Sequence, residues 1–304
     1  MSAGDRRLLD YSELLVAVAL WGSLYPGTKP VTAELSPVQI ALARAVIAFL
    51  ALGALVLARG KGTEAFFELV RRPWPSASLG LLSFFLSSLL AMLAVQSLPA
   101  SVVGMITATA PLWLSLAAVA LHRPKDSGRM LAGAAIALVG VGMVLFRDGE
   151  GVLGILAGDG LDPRGIFFAL LCSLVIAIQA AWGRRVMPGK DPMVMMCLGC
   201  GWSILPLLVM AATEGGVRPF LATSQSIQGL LLYLGVGCTA INFCLFNDAL
   251  KRVPAERAAS FQYLVPFISA LLSFVFLGET LTWQLMAGGA AIVVGLALTQ
   301  EGKA

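Results

Sequence analysis

The amino-acid sequence predicts an all-α integral membrane protein with ten transmembrane helices, arranged as two inverted five-helix repeats around a central cavity. Of the 304 residues, 58% are hydrophobic and 12% are charged, about half the charged share of an ordinary soluble domain. The apolar residues form runs of about 16 to 25, enough to cross a hydrocarbon core about 30 Å thick. At that depth only the chain itself can satisfy backbone hydrogen bonds, so each run must be helical. A repeat within the sequence predicts that the ten helices form two inverted halves.

The predicted spans follow one another through nearly the whole chain. Their approximate ranges are Glu13–Leu35, Pro37–Ala58, Ser76–Leu98, Ala100–Leu121, Leu131–Phe146, Gly165–Trp182, Met193–Ala212, Ser226–Leu250, Ala258–Leu277 and Gln284–Thr299.

The distribution of Lys and Arg among the connecting segments predicts the orientation. When both termini and every second loop are placed on one side, 16 of the 21 Lys and Arg residues fall on that side and four on the other, with Arg44 inside a span. Loops rich in Lys and Arg face the cytoplasm. We therefore expect a multi-pass protein of the bacterial cytoplasmic membrane with both termini in the cytoplasm. These loops account for the net charge of +4, so no nucleic-acid partner is expected.

A comparison of the chain with itself predicts two related halves, residues 1–150 and 151–304. When the sequence is shifted by 155 positions, ten of the 47 ungapped positions from Ala94 onward are identical, about twice the number that chance gives. Each half contains five predicted helices. Because five is odd, the second half enters the membrane from the opposite side, as in many secondary transporters with a substrate site near the midplane. A duplication with a purely structural role is the alternative.

The second half ends in a distinctive pattern, PFISAL at 266–271 and FLGETLT at 276–282, followed by three glycines. Together with a Trp-Gly pair early in each half and the combination of Pro37 and Arg44, this pattern resembles the EamA-type repeat of the drug/metabolite transporter superfamily. The resemblance covers nearly the whole chain and looks closest to bacterial YddG-type exporters of aromatic and other amino acids. It implies a secondary transporter that exports small metabolites, neutral and aromatic amino acids above all, by alternating access, and we expect the protein to be a monomer.

Two departures from the family pattern limit what the resemblance implies. The first half has LHRP at 121–124 where the second has FLGE at 276–279, so we interpret Glu279 as a loop or packing device. The small multidrug relatives carry an essential carboxylate in the first helix, whereas residues 14–28 contain no acid. Proton-coupled export of cationic drugs is therefore disfavoured, and movement down the substrate gradient is expected.

Pro111 and Pro266 lie near the middle of two predicted spans. Proline lacks an amide hydrogen and clashes with the carbonyl four residues earlier, which belongs to Thr107 in one span and to Gln262 in the other. Freed carbonyls at membrane depth are tolerated where they line protein or a water-filled cavity. We therefore expect these positions to line the central cavity, with a simple packing kink as the alternative.

Polar and aromatic side chains within the spans complete the predicted substrate site. Amides and hydroxyls could bind the ammonium and carboxylate of a zwitterion, although interhelical hydrogen bonding is the alternative role. Aromatic rings could contact an apolar side chain or accept an ammonium by a cation–π contact, with core packing as the alternative. The predicted substrate-binding residues are Trp21, Tyr25, Gln96, Thr107, Thr109, Pro111, Gln179, Trp182, Asn242, Gln262, Tyr263 and Pro266.

Arg44 lies seven residues beyond Pro37, about 10 Å into the membrane at 1.5 Å per residue. An intramembrane arginine is a functional candidate by default. It could attract a substrate carboxylate, or it could extend outward and hold helix carbonyls. Because the family pattern has this arginine in one repeat only, the sequence favours the structural role.

Other chemistry finds little support in the sequence. Cys197-x-x-Cys200 has the spacing of metal ligands but lacks a second pair and lies in a span, so neither a metal nor another cofactor is predicted. Metalloprotease and serine-hydrolase motifs are absent, so an enzyme is not expected. Exporters of nucleosides or cationic compounds are alternatives within transport. A sugar-phosphate or nucleotide-sugar carrier would need several intramembrane cations, and only Arg44 is available.

Two further segments predict contacts of the helices with lipid and with one another. Residues 59–75 alternate apolar and charged residues and predict an amphipathic surface helix that binds lipid headgroups. Small residues at Ala132–Ala135 and Ala287–Ala290 predict two helix faces that approach closely within the monomer.

The predicted orientation can be tested with reporter fusions. Reporters inserted at Lys61, Lys125 and Lys190 should give a cytoplasmic signal, and one inserted at Asp159 should give an external signal, because the charge asymmetry places these loops on opposite sides. A cytoplasmic signal from Asp159 would contradict the inverted arrangement.

Overall fold

The computed structural model describes residues 3–122, 127–146, 161–216, 218–253, 258 and 261–300, so Lys125, Asp159 and Pro254 lie outside the described residues. The regular structure within these ranges is helical, and none of it is β-strand. Seven of the described helices are long and apolar enough to cross a membrane, and three shorter apolar helices accompany them. For this part of the chain, the predicted all-α membrane fold is confirmed.

The principal helices are numbered here in chain order. Their bounds are α1 Ala3–Gly22, α2 Pro37–Ala58, α3 Pro73–Ser97, α4 Ala100–Thr107 continued by Ala110–His122, α5 Ser127–Leu145, α6 Pro163–Val186, α7 Pro192–Ala212, α8 Gln225–Leu250, α9 Val265–Leu277 and α10 Trp283–Gln300. Shorter helical segments cover Leu24–Thr28, Lys29–Ala33, Gly62–Arg71 and Arg218–Ala222. The segment Gly62–Arg71 lies within the predicted surface helix and has no buried residue.

Three helices begin at a polar cap followed by proline. At α2, the Ser36 hydroxyl accepts a hydrogen bond from the Gln39 amide at 3.3 Å, and the Gln39 side chain accepts from the Ser36 amide at 3.1 Å. The Asp162 carboxylate accepts from the Arg164 amide at the start of α6, and the Asp191 carboxylate accepts from the Met193 and Val194 amides at the start of α7. A proline at the first helical position loses no hydrogen bond and is already set for the helix. These local signals explain why the predicted bounds of α2 and α7 agree closely with the structure.

The first predicted span, Glu13–Leu35, is not a single helix. α1 ends at Gly22, and the remainder forms a short α-helix and a 3-10 turn. The break has a local cause, because Pro26 has no amide hydrogen to donate to the carbonyl of Gly22. In addition, the hydroxyl of Ser23 donates to the carbonyl of Leu20 at 2.8 Å. The prediction of one continuous span was therefore wrong at this point.

The two predicted proline interruptions are present. α4 is broken by a turn at 108–109, and a turn at 263–264 precedes α9. Pro111 and Pro266 are each the second residue of the helix that follows the turn. Because proline donates no hydrogen bond, the turn before it is released from the regular helical ladder. Polar groups near these turns can consequently face other side chains.

Two helices contain a π-helical segment, Leu81–Ser87 in α3 and Tyr233–Ile241 in α8. A π-helical turn widens the helix and is found most often at functional positions. Within the second segment, the Thr239 hydroxyl donates to the carbonyl of Leu234, five residues earlier, at 2.9 Å. The sequence pattern did not predict either segment.

Glycines set the closest helix contacts. A Cβ atom added to Gly133 would lie 2.6 Å from the carbonyl oxygen of Gly295, and one added to Gly140 would lie 2.6 Å from that of Gly288. The numbers rise along one helix as they fall along the other, so α5 and α10 are antiparallel. Backbones approach this closely only where side chains are absent. The small-residue faces predicted from the sequence therefore pack on each other within the chain.

Two charged side chains clamp the turn between α3 and α4. The Lys29 ammonium donates to the carbonyls of Val95 and Leu98 at 2.7 and 2.8 Å. The Glu279 carboxylate accepts from the amides of Ala100 and Ser101 at 2.7 and 3.1 Å. A cation at a helix C-terminus and an anion at an N-terminus are both favourable. Glu279 thus has the packing role that the sequence analysis expected, and it positions the start of α4.

The α5–α10 contact can be tested by comparing two glycines of one helix. We expect Gly140→Ala to lower the midpoint of thermal unfolding in detergent, because overpacking costs about 1–3 kcal/mol. Gly142→Ala is the matched control, since an added Cβ there would meet only Phe146 at 3.9 Å. Its stability should be unchanged or slightly raised. Equal midpoints for the two variants would contradict this packing.

Candidate functional site

The candidate site is built around Arg44 of α2, of which 9% is exposed. One terminal nitrogen of its guanidinium donates to the hydroxyl of Ser88 on α3 at 3.1 Å, and the other donates to the hydroxyl of Thr239 on α8 at 3.3 Å. Thr239 lies in the π-helical segment of α8, and Ser88 follows directly after that of α3. The side chain is buried and joins three helices, so it does not extend outward to the membrane surface.

Arg44 has no acidic partner among the described residues. The ionisable groups that act on it are the phenol of Tyr25 and the thiols of Cys172, Cys200 and Cys238. Its Nε atom is buried and has no hydrogen-bond partner in the described residues. A buried charge is costly unless it is paired and hydrogen-bonded. The guanidinium therefore offers an unused donor in a neutral surrounding.

Tyr25 and Thr107 join this region from the first half of the chain. Both are buried, with 6% and 7% of their surfaces exposed, and the Thr107 side chain is close enough to the Tyr25 phenol to act on it. The Thr107 hydroxyl donates to the carbonyl of Val103 at 2.8 Å. Thr107 is the last residue before the interruption of α4. The break thus carries a hydroxyl pair into the neighbourhood of Arg44.

Gly104 leaves room for α9 beside this pair. A Cβ atom added to Gly104 would lie 2.7 Å from the hydroxyl oxygen of Ser269 and 3.6 Å from the ring of Tyr25. The Ser269 hydroxyl is buried and has no hydrogen-bond partner among the described residues. A second unused polar group therefore lies near the Tyr25 ring.

Asn242 lies on α8, three residues beyond Thr239, and is buried. Its amide nitrogen donates to the carbonyl of Cys238 at 3.2 Å. That bond fixes the orientation of the amide, because a flipped group would set oxygen against oxygen. The Oδ1 atom is buried and has no partner in the described residues. Asn242 consequently presents a free acceptor.

Thr109 belongs to a different, fully bonded group. Its hydroxyl lies 2.9 Å from that of Ser173 on α6, and the Trp113 indole donates to the same Ser173 oxygen at 2.9 Å. Thr109 also donates to the carbonyl of Ile106 at 2.6 Å. These contacts join α4 to α6, and they match the alternative of interhelical hydrogen bonding.

The two tryptophans predicted as a repeated pair make contacts elsewhere. The Trp182 indole donates to the Ser78 hydroxyl at 2.8 Å, and its ring packs edge-on against Trp74 at 6.2 Å. Trp21 is 38% exposed and packs edge-on against Phe246 at 5.9 Å. Both therefore have partners that suit a packing role.

The other predicted residues differ in how far they are buried. Gln96 is exposed at the end of α3. Gln179, Gln262, Tyr263 and Pro111 are half-buried, and Pro266 is buried. Among the predicted substrate-binding residues, Tyr25, Thr107 and Asn242 are those that the structure associates with the Arg44 region.

Ser88, Thr239 and Ser269 were missed by the sequence analysis. Each is a small hydroxyl residue in an apolar run, and such residues carry no periodic signal. Arg44 was recognised but assigned to a structural role. Its hydrogen bonds to Ser88 and Thr239 fit that role.

Comparison with known proteins gives the following relationships. The model of the EamA-like transporter family matches residues 11–146 and again residues 163–300. A solved crystal structure with 22% sequence identity superposes with a TM-score of 0.65 over 96% of each chain. That structure supports the fold.

Three curated relatives give further comparisons. A Bacillus subtilis protein named uncharacterized transporter YdfC is 24% identical over 93% of this chain and 88% of its own. The probable amino-acid metabolite efflux pump of Salmonella typhimurium is 26% identical over 55% of this chain and 56% of its own. The probable terminal-alkyne amino-acid exporter of Streptantibioticus cattleyicolor is 23% identical over 66% of this chain and 64% of its own. The family resemblance predicted from the sequence is confirmed.

The division between the Arg44 region and the tryptophan contacts can be tested by two conservative variants. Tyr25→Phe removes a buried hydroxyl that acts on Arg44 and should weaken apparent affinity for the amino acid that the sequence predicts as substrate about 3- to 10-fold, the equivalent of one neutral hydrogen bond. Trp182→Phe removes the bond to Ser78 and should lower the unfolding midpoint while affinity stays unchanged. Binding is measured on monodisperse protein, and the reverse pattern would place the site at Trp182.

Proposed function

This chain belongs to the EamA-like transporter family, and we propose that it exports neutral amino acids, aromatic ones especially, by alternating access. It is a multi-pass membrane transporter and not an enzyme. The substrate is the proposed part. Two relatives are named for amino-acid export, and their identity to this chain is low enough that the site must carry the case.

The proposed architecture is ten spans in two inverted repeats, residues 1–150 and 151–304. Several features support it. The family model matches the chain twice, and the interruptions at 108–109 and 263–264 are separated by 155 positions, the offset of the sequence repeat. The π-helical segments lie at nearly the same offset. Gly133 against Gly295 and Gly140 against Gly288 are exchanged by that offset, as a two-fold axis requires.

The proposed location is the bacterial cytoplasmic membrane, with both termini in the cytoplasm and a monomer as the working unit. The loop charges support this orientation. Ion pairs such as Lys61 with Asp191 and Lys190 with Glu68 then lie on the cytoplasmic side, where they fix the surface helix against α7.

The observation that carries the substrate assignment is the pair of unused buried groups near Arg44. A zwitterion presents a carboxylate, which needs donors, and an ammonium, which needs acceptors. The region offers a free donor at Arg44 Nε and a free acceptor at Asn242 Oδ1. Tyr25 adds an aromatic ring beside the unpartnered Ser269. Together these groups complement an amino acid with an apolar or aromatic side chain.

The other transport classes fit the described residues less well. A cationic drug would find a buried arginine and, among the described residues, no buried carboxylate to neutralise it. A sugar phosphate or nucleotide sugar carries two or more negative charges, and Arg44 is the one buried cation that the described residues provide. A nucleoside has no carboxylate for Arg44 to bind.

Proton coupling lacks a suitable group in the described residues. Glu13 is paired with Arg252, and Asp248 is paired with Arg59 and Lys251. All of these side chains are partly exposed, whereas a proton relay uses ionisable groups inside the membrane. We therefore propose movement driven by the substrate gradient.

The function is tested by counterflow of labelled L-phenylalanine in liposomes that contain the purified protein. Phenylalanine, leucine, a nucleoside and a sugar phosphate are compared as unlabelled competitors, and amino acids should compete most strongly. Flux should change less than about twofold between pH 6 and 8, because only histidine titrates there unperturbed. Asp248→Asn and Glu13→Gln should behave alike.

Two results would contradict the proposal. Transport of the sugar phosphate or nucleoside with no amino-acid competition would make the substrate class wrong. Loss of flux on collapse of a pH gradient, abolished by Asp248→Asn or Glu13→Gln, would make the coupling wrong while leaving the substrate class intact.

A further inference from the structure

Helix packing alone does not explain why residue 44 is an arginine. Arg44 braces α2 against α3 and α8 through two hydroxyls, and a neutral residue such as glutamine could make comparable bonds. A full positive charge at membrane depth is costly. Its presence without an acidic partner among the described residues requires an explanation beyond bracing.

We propose that Arg44 binds the carboxylate of the transported molecule, and that Asn242 accepts a hydrogen bond from its ammonium. The inference rests on the proposed function and narrows it. It states that the protein selects substrates by a free carboxylate rather than by the shape of the side chain alone.

The guanidinium has the geometry that this role requires. Arginine has five N–H donors in a planar fork, and the described contacts use one on each terminal nitrogen. The Nε–H remains free, and it lies on the same edge as one hydrogen of a terminal nitrogen. This edge forms bidentate pairs with carboxylates. Ser88 and Thr239 hold the plane in place, and the Nε–H is the donor left to a ligand.

The surroundings favour an exchangeable anion over a permanent one. Tyr25, Cys172, Cys200 and Cys238 are the ionisable groups that act on Arg44, and at neutral pH none supplies a full negative charge in its ordinary state. A permanent carboxylate would compete with the ligand. The neutral lining lets the substrate provide the counter-charge and lets it leave again.

The proposed acceptor for the ammonium, Asn242, lies on α8, the helix whose Thr239 accepts a hydrogen bond from Arg44. Thr239 contacts Arg44 directly, and the thiol of Cys238, whose carbonyl accepts a hydrogen bond from the Asn242 amide, also acts on Arg44. The Asn242 Oδ1 is buried and unpartnered while its nitrogen is held by Cys238. A carboxylate at Arg44 and an ammonium at Asn242 would therefore engage groups that are close in the fold.

The experiment measures binding of four ligands to the purified full-length protein. The first is L-phenylalanine. L-phenylalaninamide and phenethylamine both lack the carboxylate, and 3-phenylpropionate lacks the ammonium. The wild-type protein should bind phenylalanine about 10- to 100-fold more tightly than the amide or the amine, the effect of a charge-assisted hydrogen bond. Phenylpropionate should lie between them.

Two variants test which residue recognises the carboxylate and which recognises the ammonium. Arg44→Gln should bind phenylalanine and its amide within about twofold of each other, and Asn242→Leu should bind phenylalanine and phenylpropionate within about twofold. Arg218→Gln is the matched control, because it removes an exposed arginine and should keep the wild-type order. The thermal unfolding midpoint of each variant reports on bracing separately from ligand preference.

Several outcomes would overturn the inference. One is equal binding of L-phenylalanine and L-phenylalaninamide by the wild-type protein. Another is a folded Arg44→Gln variant that still prefers L-phenylalanine over its amide. A third is binding of phenethylamine and the amide but of neither carboxylate ligand. If Arg44→Gln does not fold, the wild-type comparison still decides, and Arg44→Lys should retain part of the preference through its charge. Binding of phenylpropionate without phenylalanine would refute the amino-acid function and leave the Arg44 site standing. Binding of none of the four would refute both.

Discussion

The structure depends on one constraint: within the membrane, every backbone amide and carbonyl must find a partner inside the protein. Unbroken helices such as α2 meet that constraint without assistance, so departures from regular helix carry information. The departures here are the turns at 108–109 and 263–264 and the π-helical segments of α3 and α8. Thr107, Ser88 and Thr239 are at or beside them, so the irregular backbone coincides with the polar region that surrounds Arg44.

Close packing makes this arrangement possible. The Gly133 and Gly140 contacts bring α5 and α10 together backbone to backbone, and they leave the remaining helices to enclose the polar region. Lys29 and Glu279 fix the α3–α4 turn by satisfying carbonyls at one helix end and amides at the next. Because the start of α4 is fixed, the position of its interruption at 108–109 is fixed as well. Helix packing and these charged contacts together hold Tyr25 and Thr107 in the region of Arg44.

Much of the fold could be predicted from local signals, whereas the site could not. Ser36, Pro37 and Gln39 predict the start of α2, and apolar runs predict the remaining spans. The importance of Ser88 and Thr239 depends on contacts across three helices, which no local pattern encodes. Trp182 was placed in the site because a Trp-Gly pair recurs, yet its indole bonds Ser78. Recurrence in a repeat reports shared packing as readily as shared function.

The proposed transport function depends on the binding of the substrate carboxylate at Arg44. Its most direct test is an experimental structure of the protein with bound 4-iodo-L-phenylalanine, in which anomalous scattering locates the iodine and the density locates the carboxylate. The account predicts a carboxylate on the Nε edge of Arg44, an ammonium at Asn242 and the ring on the side of Tyr25 and Ser269. Iodine beside Trp74 and Trp182, with Arg44 still bonded only to Ser88 and Thr239, would contradict it.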